Sequence, residues 1–418
     1  MKKVVILASG TRGDIQPYAA LGQGLRAAGF NVVVATHLGF RSLIEKSQLA
    51  FALLDGNPTD LMMQPNAELP MVYDGNVWRN LRATVRFVRA ARPIYWRMLH
   101  SAWQACADAN AVVLGMPTTW GAHIAEALGA PCVWCFLQPF TRTRAWPSAL
   151  VPSSFSLGGW YNALTHRFVE QAIWQPWRGL INQFRRTVLG LKNSPMAGVY
   201  SPETPLLYGF SPYMVPRPAD WPQHHVALGY WFLDEERDWV APYALAQFLD
   251  GRARVVYVGF GSPGVRRGVV MLGLVEQALH ATGLRAVLAL PPHLAQHMPA
   301  SPNILVVDDV PHAWLFARVA GVVHHGGAGT TGAAARAGVP QVVLPLAVDQ
   351  YFWGERVRAL GLGPRPIPQR SLTAQGLAQA LQQTVYDTRM RAVASMLGEQ
   401  IAGEDGVRTA VEKIRTAL

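Results

Sequence analysis

Short runs of apolar, β-branched residues alternate along this chain with longer stretches in which apolar residues recur at helical spacing. The first run, VVILAS, is followed by the turn GTRGDIQP. A helical stretch, YAALGQGLRAAG, then stops at Gly29, and the next run is FNVVVAT. Pro17 lies just inside the predicted helix, which the spacing starts near Ile15. AVVLG (111–115) and PCVWCF (131–136) read as further buried strands. A second series begins at RVVYVGFG (254–261) and continues through RAVLAL (285–290), NILVVDD (303–309), GVVHH (321–325) and PQVVLPL (340–346). Strands separated by helices predict an α/β fold with mostly parallel sheets. The two series predict two doubly wound domains facing one another across a cleft. In such sheets ligands bind beyond the carboxyl ends of the strands. Residues 145–200 read as helices and loops outside the sheet, and 372–417 as helix throughout.

Composition sets the domain count. With 418 residues, half of them hydrophobic, the chain is too long for one small core. The pattern divides it into a first domain over 1–220, a linker over 221–240 rich in Pro and aromatics, and a second domain over 241–418. The terminal helices can pack back on the first domain. No run of 18 uncharged apolar residues occurs, so a spanning helix is not expected. The opening MKKVVIL runs straight into a Gly-rich turn and reads as a strand rather than a leader. Cys106, Cys132 and Cys135 read as buried thiols, in keeping with a reducing cytoplasm.

Charge changes the picture in one place. The net charge is +11. Residues 1–220 hold 20 basic and 11 acidic side chains and so carry most of the excess. Much of it lies in 76–98, where Arg79, Arg82, Arg86 and Arg89 recur at helical spacing beside Leu81, Val85 and Val88. A basic amphipathic helix of this kind suits the inner face of an anionic membrane, and equally an ordinary solvated face. No nucleic-acid motif accompanies it.

Three turns carry candidate chemistry. In VVHHGGAGTTGAAARAG (322–338) a strand ends at a pair of histidines. Glycines then leave bare amides at the start of an Ala-rich helix, an arrangement that binds phosphate. His325 and Thr330 can add donors. GFGSPG (259–264) has the letters of a dinucleotide loop, but the next strand ends LALPPH with no acid for a ribose, so nicotinamide is not expected. GTRGD (10–14) places Asp14 at the carboxyl end of the first strand, as a general base or as a helix cap. Asp349 and Gln350 follow the strand PQVVLPL and suit sugar hydroxyls.

These residues together resemble the nucleotide-sugar-dependent glycosyltransferases of the two-Rossmann (GT-B) type. Among those, the chain is similar to the sterol 3-beta-glucosyltransferases and the bacterial enzymes that glycosylate lipids and natural products. GTRGDIQP, ATHLGFR, SPYMVPRPADWP, VYVGFGS, VPHAWLF, VHHGGAGTT and DQYFWGERV follow that pattern in order.

The resemblance implies a role for each matching residue. Asp14 becomes the catalytic base. Arg12, Ser262, His325, Gly327, Ala328, Gly329 and Thr330 become diphosphate contacts, and the backbone of Val310 meets the nucleobase. Asp349 and Gln350 hold the donor sugar. Pro263 and Gly264 after GFGS depart from the pattern and can reshape that turn. Inverting transfer of a hexose is implied, with glucose from UDP-glucose ahead of a TDP-sugar. No metal is expected, because no D-x-D stands at a strand end, and no cofactor beyond the donor. Nine of the fourteen tryptophans lie within residues 1–180, which favours a lipophilic hydroxylated acceptor: sterol-like, hopanoid, carotenoid, glycolipid or polyketide. A sugar-nucleotide epimerase and a non-catalytic nucleotide-sugar sensor are the alternatives of the same architecture.

Overall fold

The computed structural model describes residues 1–63, 77–151, 156–198, 203–233, 239–250, 254–260, 268–298 and 301–418. Two compact units emerge: an N-terminal unit of Met1–Leu233 with Asp405–Leu418, and a C-terminal unit of Asp234–Glu404. Both are α/β units built on parallel sheets.

The N-terminal unit carries seven strands: β1 (Lys3–Leu7), β2 (Asn31–Thr36), β3 (Ala50–Leu53), β4 (Ala111–Leu114), β5 (Cys132–Phe136), β6 (Leu206–Tyr208) and β7 (His225–Ala227). They lie in the order β3-β2-β1-β4-β5-β6-β7. Its described helices are α1 (Arg12–Ala27), α2 (Arg41–Lys46), α3 (Thr59–Met63), α4 (Val77–Ala105), α5 (Gly121–Leu128) and α6 (Gly159–Thr187). The order reverses beside β1, which pairs with β2 on one side and β4 on the other. Val4, Val5, Ile6 and Leu7 are all fully buried, as expected of a parallel strand covered on both faces.

The C-terminal unit holds α7 (Tyr243–Leu249), β8 (Val255–Gly259), α8 (Gly268–Thr282), β9 (Arg285–Ala289), α9 (Pro292–Ala295), β10 (Ile304–Val307), α10 (His312–Phe316), β11 (Gly321–His324), α11 (Ala328–Arg336), β12 (Gln341–Val343), α12 (Gln350–Ala359), α13 (Ala374–Tyr386) and α14 (Thr388–Ala402). Its sheet order is β10-β9-β8-β11-β12, all parallel. Alternate residues feed two cores. Val256 and Val258 pack with Met271 and Leu272 of α8, and Val255 and Tyr257 pack with Leu315 and Phe316 of α10.

The last helix, α15 (Gly406–Ala417), returns to the N-terminal unit. Ala410, Val411 and Ile414 join the core formed by Leu21 and Leu25 of α1. Among the described residues no helix is long and apolar enough to cross a membrane.

The two long helices of the N-terminal unit are crossovers. α4 leads from β3 to β4 and α6 from β5 to β6. A crossover between parallel strands starts at the carboxyl edge of the sheet and runs back to the amino edge. Both helices therefore begin on the carboxyl edge. They pack side by side, with Tyr95 stacked on Trp177 at 3.9 Å and Trp96 edge-on to Phe184 at 6.0 Å. The helix predicted over 76–98 is observed over Val77–Ala105, and the side chains of Arg79 and Leu81 lie outside the described residues.

Candidate active site

Each unit presents a Gly-rich turn where its strand order reverses, the position at which doubly wound sheets bind ligands. In the N-terminal unit the turn follows β1. Gly10 adopts φ +132°, and a Cβ there would lie 2.4 Å from Asp14 Oδ2, so only glycine allows the carboxylate to fold over the turn.

The helix begins earlier than the sequence spacing predicts. Thr11 is its N-cap and Asp14 its third residue. Asp14 Oδ2 accepts hydrogen bonds from the Thr11 amide at 2.9 Å and the Thr11 hydroxyl at 3.0 Å, closing a capping box. Both bonds fall on Oδ2, leaving Oδ1 for another partner. Burial raises the Asp14 pKa above its ordinary value, opposed by the two Thr11 bonds. A carboxylate moved upward in this way is a better proton acceptor. Arg12 is exposed in the first turn, and its Nε donates to Gln16 Oε1 at 3.1 Å.

His37, just past β2, was missed by sequence reasoning. It is buried, and its Nε2 meets the Ser9 hydroxyl at 2.9 Å and the Gly10 amide at 3.4 Å. An Nε2 that accepts from an amide requires the proton on Nδ1. Burial lowers its pKa, so the neutral ring braces the turn that carries Asp14. A histidine at the carboxyl end of a strand, as in ATHLGF, was the signal available.

In the C-terminal unit the turn follows β11. His324 is fully buried. Its Nδ1 accepts from the Gly326 amide at 3.0 Å, and its Nε2 donates to Gln341 Oε1 at 2.8 Å. Gln341 Nε2 in turn donates to the Thr331 carbonyl at 3.3 Å. This chain ties β11, β12 and α11 together and fixes the turn from below. Gly326 adopts φ +93°, and a Cβ there would meet the Gln350 backbone oxygen at 2.9 Å. Only a bare α-carbon lets the turn and the start of α12 approach so closely.

No side chain caps α11, whose N-cap is Gly327. Its first internal hydrogen bond runs from the Thr331 amide to the Gly327 carbonyl at 2.9 Å. The amides of Ala328, Gly329 and Thr330 precede that bond and face outward with the positive end of the helix dipole. His325 stands beside them. Its Nδ1 is buried without a hydrogen-bond partner among the described residues. Burial and the nearby His312 push its pKa down to about 4, so it is neutral at pH 7. An orphan ring nitrogen beside open amides fits an anion. His312, in the turn after Val310, stacks on Phe316 at 4.5 Å and lies 3.4 Å from the Tyr257 hydroxyl. Val310 has its side chain in the core. Ser262 lies outside the described residues.

Asp349 and Gln350 meet the same turn from α12. Asp349 occupies the N-cap position but makes no capping bond. Its Oδ2 accepts from the indole Nε1 of fully buried Trp353 at 3.0 Å. Gln350 Oε1 accepts from the amides of Leu346 at 2.8 Å and Ala347 at 3.2 Å. Between them Val348 adopts φ +56°, a genuine outlier for a β-branched residue. Strain of this kind gathers at ligand clamps. His325, Gly327, Ala328, Gly329, Thr330, Asp349 and Gln350 thus share one surface of the C-terminal unit, whereas Arg12 and Asp14 belong to the N-terminal unit.

Comparison with known proteins bears on both units. Residues 4–147 match the Glycosyltransferase family 28 N-terminal domain. Residues 285–415 match the Erythromycin biosynthesis protein CIII-like C-terminal domain. The sterol 3-beta-glucosyltransferase of Emericella nidulans is 37% identical over 99% of this chain and 30% of its own length. That of Cryptococcus neoformans var. neoformans serotype D is 35% identical over 99% of this chain and 27% of its own. The chain therefore spans about 30% of the length of these curated relatives. Among solved structures, the spinosyn rhamnosyltransferase SpnG superposes with a TM-score of 0.70 at 19% identity, covering 99% of this chain and all of that one. The glycosyltransferase VinC in complex with dTDP gives 0.69 at 20% identity, covering 99% of each chain.

Proposed function

We propose that this chain, whose two ends match a family 28 N-terminal domain and an EryCIII-like C-terminal domain, transfers a hexose from a nucleoside diphosphate sugar to a hydroxyl of a lipophilic acceptor. The observation that carries this reading is the turn after β11. Uncapped amides at a helix N-terminus, a neutral histidine with an unpartnered nitrogen and a carboxylate–amide pair converge there. Such a surface can hold a pyrophosphate by its oxygens and a sugar by its hydroxyls. The likeness to sterol 3-beta-glucosyltransferases favours a sterol-like acceptor and a glucosyl donor, hence UDP-glucose ahead of a TDP-sugar.

In the proposed reaction Asp14 removes the acceptor proton through Oδ1 as the acceptor oxygen attacks the anomeric carbon. Attack occurs opposite the nucleotide and inverts that carbon. The bond to the leaving nucleoside diphosphate breaks, and its growing negative charge falls on the amides of Ala328, Gly329 and Thr330 and on His325. Arg12 contributes a further cation to the diphosphate or the sugar. The test is incubation with UDP-glucose or dTDP-glucose and a panel of hydroxylated lipids, with products read by mass and anomeric configuration by NMR. An inverted glycoside of a lipid is expected. Epimerised donor without an acceptor product, or donor binding with no chemistry, would sink the proposal.

A further inference from the structure

The first half of α6 carries large apolar side chains on its outer surface. Trp160, Leu164 and Phe168 follow one another at four-residue spacing and are 67%, 53% and 67% exposed, with Leu157 56% exposed just before the helix. Residues at this spacing share one helix face. The core has no use for that face, because Asn162, Thr165, His166 and Val169 of the same helix are the ones turned inward.

The exposed charge on α4 and α6 themselves has one sign. α4 contains no acidic residue, and Arg82, Arg86 and Arg89 are exposed along it beside the exposed Val85. The single acid of α6, Glu170, is buried and bonded to Arg142 at 2.8 Å, whereas Arg167 is exposed next to Phe168. The ring pairs Tyr95–Trp177 and His100–Phe184 run in the same order on both helices, so α4 and α6 lie parallel. Pro93 and Pro176 fall just before the stacked pair on their respective helices. The arginines of α4 and the stripe of α6 therefore occupy corresponding first halves. Both halves lie at the carboxyl edge of the sheet, the edge that carries Asp14.

We propose that the first halves of α4 and α6 dock the N-terminal unit onto an anionic lipid bilayer. Trp160, Leu164 and Phe168 enter the boundary between headgroups and acyl chains, and Arg82, Arg86 and Arg89 meet lipid phosphates. Aromatic anchors beside arginines have the chemistry of interfacial binding, and neither helix presents an exposed acid of its own to repel an anionic surface. The sequence alone credited only the basic helix; the apolar anchor is on α6. The consequence rests on the lipophilic-acceptor reading: an acceptor hydroxyl at the bilayer surface arrives at the sheet edge where the base stands.

The test is co-sedimentation of the full chain with phosphatidylcholine vesicles, with and without phosphatidylglycerol. Binding to the anionic vesicles alone is expected. Trp160→Ser with Phe168→Ser, and separately Arg82→Gln with Arg86→Gln, should each weaken it by roughly tenfold. UDP affinity by calorimetry, governed by the C-terminal unit, should stay unchanged and report intact folding. No binding by the wild type, or wild-type binding by the Trp160/Phe168 variant, overturns the proposal. So does a wild-type dimer in light scattering that the same variant splits, which would make the stripe a contact between copies. Vesicle binding without transfer to any acceptor would instead retain the docking surface and remove the transferase reading.

Discussion

Gly329→Ala separates a folding role from a ligand role in the turn after β11. Gly329 is the second residue of α11 and is exposed, and a Cβ built there meets nothing within 4 Å. The free protein should therefore accept alanine without strain. Replacing glycine by alanine in a helix stabilises by about 0.5–1 kcal/mol, so thermal stability should hold or rise slightly. A diphosphate oxygen seated on the Ala328–Thr330 amides must approach the same backbone closely, and a methyl group there blocks it. Losing one hydrogen bond to a charged oxygen costs about 1.5–3 kcal/mol. At about 1.4 kcal/mol per decade, that is roughly 10- to 150-fold in Kd. Scanning calorimetry gives the stability, and titration calorimetry with UDP and dTDP gives the affinity. An equally stable or more stable variant that binds both nucleotides within about twofold of wild type would refute the anion cradle, because nothing else in the structure opposes the methyl.

Four further outcomes are expected. Asp14→Asn keeps an acceptor for the Thr11 amide, so folding should survive while turnover falls about two to four decades; near-normal turnover in a folded variant would remove Asp14 as base. Because burial raises the Asp14 pKa, the acid limb of kcat/KM should lie above the ordinary aspartate value, and that limb should vanish in Asp14→Asn. Burial lowers His324 to about 3, below its unfolded value near 6.5, so the unfolded chain binds the proton first. The stability from neutral His324 is therefore full above about 6.5 and is lost as pH falls toward 3, by about 2 kcal/mol at pH 5, and a urea midpoint unchanged between pH 8 and pH 5 would contradict it. Val348→Asn should raise stability by about 1 kcal/mol in urea, since asparagine tolerates φ near +56° better than valine does, and no gain would mean that the turn stores no strain.

Much of the fold was legible because parallel strands buried on both faces write themselves as unbroken apolar runs. VVILAS, RVVYVG and RAVLAL appear as β1, β8 and β9. The start of α1 was misjudged because Pro17 reads as an N-terminal proline, whereas Thr11 and Asp14 close the box earlier and the proline sits a full turn inside. The glycine turn was legible from its spacing, since few sequences after a strand leave so many amides bare. Its supports were not. Nothing local links His324 to Gln341 or Asp349 to the Trp353 indole; strand pairing and helix packing create those partners. The apolar face of α6 was hidden for the opposite reason. Tryptophans in a sequence look like core until a structure shows which ones the core leaves out.

The return of α15 has a consequence for biosynthesis. The N-terminal unit leaves the ribosome ahead of Asp234–Glu404, yet its hydrophobic centre lacks Ala410, Val411 and Ile414 until the codons for α15 have been read. The middle segment, Asp234–Glu404, is complete in sequence before that point. Synthesis and consolidation therefore run in different orders: of the two units the earlier-made is the later able to finish, and a nonsense mutation within α15 would damage the core around α1 rather than the unit that precedes it in sequence.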